Sequence, residues 1–96
     1  MVTGKLSNGY KIEVDEKRAQ EYQFAKLIGL AASKNNEERL FANAKLLSYL
    51  IGEDGEQALL EYIKTETGEE PTTKMVTEIT IEIINLMQKE DEDIKK

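Results

Sequence analysis

Two pairs of adjacent carboxylates are the residues of this sequence best suited to chemistry, Glu53 with Asp54 and Glu69 with Glu70. Two carboxyl groups can act as general acid and general base when their surroundings push their pKa values apart. Both pairs stand in polar turns, where carboxylates are normally solvated and no apolar pocket raises a pKa. The sequence therefore predicts no catalytic residues and no enzyme activity.

Composition excludes the other common kinds of reactive site. The 96 residues include no cysteine and no histidine, so disulfides, thiolate or imidazole metal sites, and Ser-His-Asp or Cys-His nucleophile systems are absent. The segment from Gly52 to Gly55 lacks the lysine and spacing of a phosphate loop, and the acidic C-terminal residues lack the pattern of an EF-hand. We therefore predict no bound metal and no cofactor.

Charge is distributed unevenly along the chain. Residues 1–50 carry a balance of +2 and residues 51–96 a balance of −8, which together make the net charge of −6. An acidic half without a cluster of basic and aromatic residues argues against nucleic-acid binding. No apolar run approaches the roughly 18 residues that span a bilayer, and no leader opens the chain. We expect a soluble, unprocessed protein in a reducing cytoplasm, with no membrane partner.

The first fifteen residues predict a β-hairpin whose turn lies at Ser7-Asn8-Gly9. A two-residue turn at Asn8-Gly9 would place Leu6 on the face opposite Ile12, whereas a three-residue loop with Gly9 in the left-handed conformation keeps the apolar side chains on one face. That second register pairs Leu6 with Tyr10, Gly4 with Ile12, and Val2 with Val14. Because an isolated hairpin is marginal in water, its apolar face requires cover from the chain's own helices or from another copy.

Helical periodicity predicts about four helices after the hairpin, over residues 16–33, 37–51, 55–67 and 72–88. The first has a broad apolar face, from which we expect a central helix. Gly52 suits the end of the second helix and Pro71 the first turn of the fourth. Residues 76–84 alternate apolar and polar as a strand would, but the length of the pattern favours a helix.

The predicted architecture is one mostly α domain over residues 1–88, in which a small N-terminal β-hairpin precedes a compact set of helices (α+β by strict count). Residues 89–96 are too charged to bury, and we expect an acidic frayed tail. The tyrosines Tyr10, Tyr22, Tyr49 and Tyr62 all stand on apolar faces, as core residues with a hydroxyl at the rim or as interface anchors.

Three stretches of this sequence are similar to one known family. Residues 5–15 resemble the opening hairpin of that family. Its central corner between helices is similar to residues 46–54 and the apolar positions that follow them. Its closing loop and terminal helix are similar to residues 66–71 and to Val76, Ile79 and Ile83. The family is that of the small tail assembly chaperones of long-tailed, siphovirus-type bacteriophages and prophages. The resemblance covers residues 5 to 88.

The resemblance implies a non-enzymatic function in the cytoplasm of a bacterial host. Members of the family bind the tape measure protein and keep it soluble and extended while the tail tube polymerises around it, and they are not expected in the mature virion. Members often self-associate, which implies a homo-oligomer. A longer form made by ribosomal frameshifting is implied to recruit the major tail tube protein.

The hairpin supplies the candidate residues for self-association or partner contact, namely Leu6, Tyr10, Ile12 and Val14. The alternative function is an acidic regulatory or inhibitor module that masks a basic surface of its partner, and binding of that kind is screened by salt. A small hydrolase that uses Glu53 and Glu70 is the third hypothesis.

Overall fold

Helices make up most of the chain. The computed structural model describes the backbone of residues 2–95 and the side chains of residues 2–88. The elements, in chain order, are β1 (Val2–Lys5), β2 (Lys11–Val14), a short 3-10 helix (Glu16–Gln20), α1 (Tyr22–Ala31), α2 (Asn36–Thr67) and α3 (Thr73–Lys95). The predicted frayed tail over residues 89–96 lies outside the residues whose side chains are described.

The hairpin has the predicted three-residue loop. β1 and β2 are antiparallel, with Val2 opposite Val14 and Gly4 opposite Ile12. The Leu6 N–H donates to the Tyr10 carbonyl at 2.8 Å, and the Gly9 N–H donates to the Leu6 carbonyl at 2.9 Å. Gly9 has φ 94°, in the left-handed region that glycine adopts without steric cost. The register that keeps the apolar side chains on one face is confirmed.

The chain's own helices cover the apolar face of the hairpin. One buried cluster joins the hairpin to α2 and α3; its members are Leu6, Ile12, Val14, Leu47, Leu50, Leu59, Ile63, Ile79, Ile83 and Met87. Polar contacts hold the loop in place at the edge of this cluster. The Ser7 N–H and hydroxyl both donate to the Glu82 carboxylate at 2.9 Å, and the Tyr62 hydroxyl donates to the Asn8 carbonyl at 2.9 Å.

The helix predicted over residues 16–33 is divided, and it is not central. Asp15 caps a 3-10 helix by accepting from the Lys17 N–H at 3.0 Å, and Glu21 then has an extended backbone with ψ 144° before α1 begins. The Glu21 carboxylate accepts from the hydroxyl of Tyr49 on α2, which holds this residue away from the helix that it would otherwise continue. Leu27 is the buried residue of α1, so most of the predicted apolar face lies outside the core.

The helices predicted over residues 37–51 and 55–67 form one element, α2, which is interrupted at Gly52. Gly52 has φ 82° and ψ 161°, which is not helical, so α2 consists of two helical segments that meet at an angle there. The Asn35 side chain caps the first segment by accepting from the Glu38 N–H at 3.1 Å, and Gly68, with φ 73°, ends the second segment. With α2 counted as one element, residues 2–95 have three α-helices rather than about four.

Residues 76–84 are helical, as the length of the pattern predicted. Thr72 caps α3 by accepting from the Met75 N–H at 3.2 Å. The buried aliphatic side chains of α3 are Ile79 and Ile83, which are four residues apart, whereas Ile81 between them is 52% exposed. A strand would have placed all three isoleucines on one face, so burial itself distinguishes the two structures.

Candidate protein-binding surface

The carboxylate pairs of the sequence lie on the surface. Glu53, Asp54, Glu69 and Glu70 are all exposed. The Glu70 carboxylate lies 2.8 Å from the Lys64 ammonium, and this hydrogen bond raises the pKa of Lys64. Among the side chains that the structure describes, no group of acidic residues is arranged to hold a metal ion. Glu53 and Asp54 begin the second segment of α2, whereas Glu69 and Glu70 follow its end, so the segment separates the two pairs.

The structure places three of the four candidate contact residues in the core of the protein. Leu6, Ile12 and Val14 are buried against α2 and α3. Tyr10 is half-buried, with its ring tilted by 53° against the ring of Tyr62 at a centroid distance of 5.1 Å. In this conformation the apolar face of the hairpin is already occupied, so a surface for partners has to be found elsewhere.

The outer side of α1 carries an apolar surface that sequence reasoning missed. Five residues at helical spacings of three and four are exposed there, and we call them the outer stripe: Tyr22, Ala25, Ile28, Gly29 and Ala32. Tyr22 is 81% exposed, and a Cβ atom added at Gly29 would meet nothing within 4 Å. No other element of the described chain covers this side of the helix.

The inner side of α1 explains why the apolar pattern of this helix is so wide. Leu27 is buried with Ala42 and Leu46 of α2, while Phe24 and Leu30 pack against that small cluster. One neighbouring helix can cover only one side of α1. The breadth of the apolar pattern of α1 is thus the sequence feature that could have indicated an exposed apolar side, since it exceeds what packing against one helix requires.

Two further large apolar side chains are exposed near the start of α2. Leu40 is 54% exposed and Phe41 is 55% exposed. The Lys45 ammonium lies 5.6 Å from the centroid of the Phe41 ring, a cation–π distance that keeps one face of the ring occupied. Leu40 lines a depression of about 330 Å³ between α2 and the start of α3, together with Ala44, Leu60, Pro71 and Val76.

A polar cluster fastens the segment before α1 to α2. The Tyr49 hydroxyl donates to Glu21, the Arg18 guanidinium lies 3.4 Å from the same carboxylate, and it also lies 5.3 Å from the centroid of the Tyr49 ring. Burial raises the pKa of Tyr49, and its hydrogen bond to Glu21 adds to that effect. The hydrogen bond to Glu21 likewise raises the pKa of Arg18. These contacts and the apolar cluster of Leu27, Ala42 and Leu46 both join the region around α1 to α2.

Comparison with protein families, curated proteins and solved structures finds no match to this chain. Within residues 2–95, no helix combines the length and the apolar character needed to cross a membrane. Function therefore has to be argued from the surface of the molecule and from the sequence motifs.

Proposed function

We propose that this protein is a phage tail assembly chaperone, a non-enzymatic protein that binds the tape measure protein and keeps it soluble and extended while the tail tube polymerises. The observation that carries the proposal is the apolar surface left in water on α1 and α2, namely the outer stripe with Leu40 and Phe41. An apolar stripe that a helix exposes to water is the kind of surface that proteins use to bind other helices.

The amount of apolar surface outside the core supports a binding function. A domain of 96 residues buries a smaller fraction of its chain than a larger one does, so apolar side chains are scarce. Ile28, Leu40 and Phe41 are nevertheless exposed while the core is filled by other residues. Association with a partner would remove these side chains from water, at about 25 cal/mol for each Å² of apolar area.

The form of this surface suits a helical client. An apolar stripe along a helix packs against the apolar stripe of another helix, as in helix-in-groove recognition. The tape measure protein is a long helical polypeptide that aggregates when its apolar surface is unprotected, which agrees with the sequence resemblance. On this proposal the protein acts in the cytoplasm of the bacterial host, forms homo-oligomers, and has a frameshifted longer form that recruits the tail tube protein.

Coexpression with the tape measure protein encoded in the same genome tests this function. The wild-type chain should keep the tape measure protein in the soluble fraction, and Tyr22→Asp should release it to the pellet. Gln23→Asp is the matched control, because it adds the same charge to the same exposed helical turn outside the outer stripe. A tape measure protein that stays equally insoluble with and without the wild-type chain would refute the proposal.

Salt dependence separates the chaperone from an acidic inhibitor module. A complex held by apolar surface should persist when the salt concentration is raised from about 0.05 M to about 0.5 M, whereas a complex held by the acidic residues should dissociate as charge is screened. Steep loss of binding over that range, measured by co-purification, would favour the inhibitor hypothesis.

A further inference from the structure

Two adjoining depressions form a groove between α2 and the start of α3. The depression lined by Leu40 and Ala44 shares Leu60, Pro71 and Val76 with a second depression that extends toward Lys64 and Glu70. We call the two together the α2–α3 groove. The residues that the two depressions share are apolar, and together the depressions are lined from Leu40 to Lys64 of α2, an extent that suits a helix rather than a compact ligand.

The charged side chains of the groove are mainly acidic. Glu56 lines one depression, and Glu61 and Glu70 line the other. Lys64, the basic residue among those lining the groove, is engaged by Glu70 at 2.8 Å. Among the described side chains, neither Glu56 nor Glu61 takes part in a salt bridge, although the charge of Glu61 adds to the rise in the pKa of Lys64. Both carboxylates can therefore pair with a basic partner.

We propose that the α2–α3 groove binds an amphipathic helix that has an aliphatic stripe flanked by lysine or arginine. The apolar floor takes the aliphatic side chains of the stripe, and the carboxylates of Glu56 and Glu61 pair with the basic flanks. An acidic helix is rejected because its carboxylates would face the same rim. The inference rests on the proposed function, and it assigns a chemical character to the segment of tape measure protein that is bound.

Leu40 is the aliphatic anchor that the groove presents to this partner. Its side chain is half-exposed at one end of the groove and is not part of either buried cluster. Covering it on binding removes apolar area from water without disturbing the core. A variant at this position therefore reports on binding rather than on folding.

Two synthetic peptides test the proposal with the full-length chain. Both have about 20 residues, long enough to form a helix on binding, and the same leucine stripe; one carries lysine and the other glutamate on the flanks. Fluorescence anisotropy of labelled peptide measures the dissociation constant. At about 0.05 M salt the lysine peptide should bind at least about tenfold more tightly than the glutamate peptide. At about 0.5 M salt this difference should shrink as charge is screened, while the leucine stripe still holds the lysine peptide on the apolar floor.

Variants with matched controls locate the binding site. Leu40→Asp should weaken binding of the lysine peptide at least about tenfold, whereas Ile81→Asp, at an equally exposed aliphatic residue that lines neither depression, should leave it unchanged. Glu61→Lys should weaken binding several-fold, and Glu13→Lys, the same change of charge on the hairpin, should not.

Several outcomes would overturn the groove proposal. Equal affinity for the two peptides would refute the charge complementarity, and equal effects of Leu40→Asp and Ile81→Asp would refute the location. Self-association that Leu40→Asp abolishes, with no binding of either peptide, would assign the groove to a second copy of the chain. None of these results refutes the chaperone function if the wild-type chain still keeps tape measure protein soluble. Failure of the groove proposal can therefore be distinguished from failure of the proposed function.

Discussion

Replacement of glycine by alanine at position 52 and at position 29 should change stability in opposite directions. At both positions an added Cβ atom would meet nothing within 4 Å, so contacts with neighbouring atoms do not contribute to the change in stability. The difference lies in the backbone. Gly52 has φ 82° and ψ 161°, a conformation that is essentially restricted to glycine, whereas Gly29 lies inside the regular helix α1.

The magnitudes follow from those two backbone conformations. Gly52→Ala should destabilise the protein by about 1 to 3 kcal/mol, the usual cost of holding a residue with a side chain in a disfavoured region. Gly29→Ala should stabilise it by about 0.5 to 1 kcal/mol, because alanine loses less conformational entropy in a helix.

The backbone at position 52 cannot relax to a helical conformation and so avoid the destabilisation of Gly52→Ala. A straight α2 of 32 residues would be about 48 Å long at the rise of an α-helix, whereas the longest dimension over the described part of the chain is 41 Å. Straightening would also separate Leu47 from Leu59, which lie in one buried cluster on opposite sides of the corner. The strain is therefore retained in the folded variant, or the core is lost.

Urea denaturation followed by far-UV circular dichroism measures both effects. With a slope near 1 kcal/mol per M, Gly52→Ala should lower the transition midpoint by about 1 to 3 M and Gly29→Ala should raise it by about 0.5 to 1 M. The slopes should stay unchanged. If Gly52→Ala has the midpoint of the wild type or a higher one, the argument for a strained corner at Gly52 is refuted.

Three further predictions concern the hairpin and the polar contacts. Ile12→Asp should destabilise the fold by at least about 3 kcal/mol, since it places a charge in the core. Tyr22→Asp, at an exposed position, should change stability by no more than about 0.5 kcal/mol. Similar urea midpoints for the two variants would contradict the burial pattern. The raised pKa of Tyr49 means that the folded state favours the protonated phenol. The stabilising contribution of this group should therefore be complete below its ordinary pKa of 10.0 and should be lost as the pH rises through the folded-state pKa. Tyr49→Phe should reduce this loss of stability in a series of thermal unfolding measurements at alkaline pH, and an unaltered pH profile would contradict the assignment to Tyr49. Ser7→Ala should cost about 1 kcal/mol by removing the hydroxyl that donates to Glu82, and an unshifted urea midpoint would show that this contact is not formed in solution.

Local features of the fold could be predicted from the sequence because each depends on neighbouring residues. The hairpin register follows from the requirement that Leu6, Ile12 and Val14 share one face, and only a loop with left-handed Gly9 meets it. The helix boundaries at Asn35 and Gly68 follow from the capping properties of those residues. The register confirms that Ile12 and Val14 share one face of the hairpin, but whether that face is open to a partner depends on the packing of α2 and α3, which the local sequence does not specify.

Tertiary structure alone decided which apolar residues are buried and which remain for a partner. Periodicity reports the position of a side chain around the axis of its own helix, and it does not report how many other elements pack against that helix. Thus the pattern of α1 identified Leu27 and Ile28 alike, and only the packing of α2 on one side buries Leu27 and leaves Ile28 exposed. Contacts between these two regions join residues that are far apart in the chain, such as Tyr49 and Glu21, which are 28 residues apart, a separation over which sequence spacing specifies no geometry.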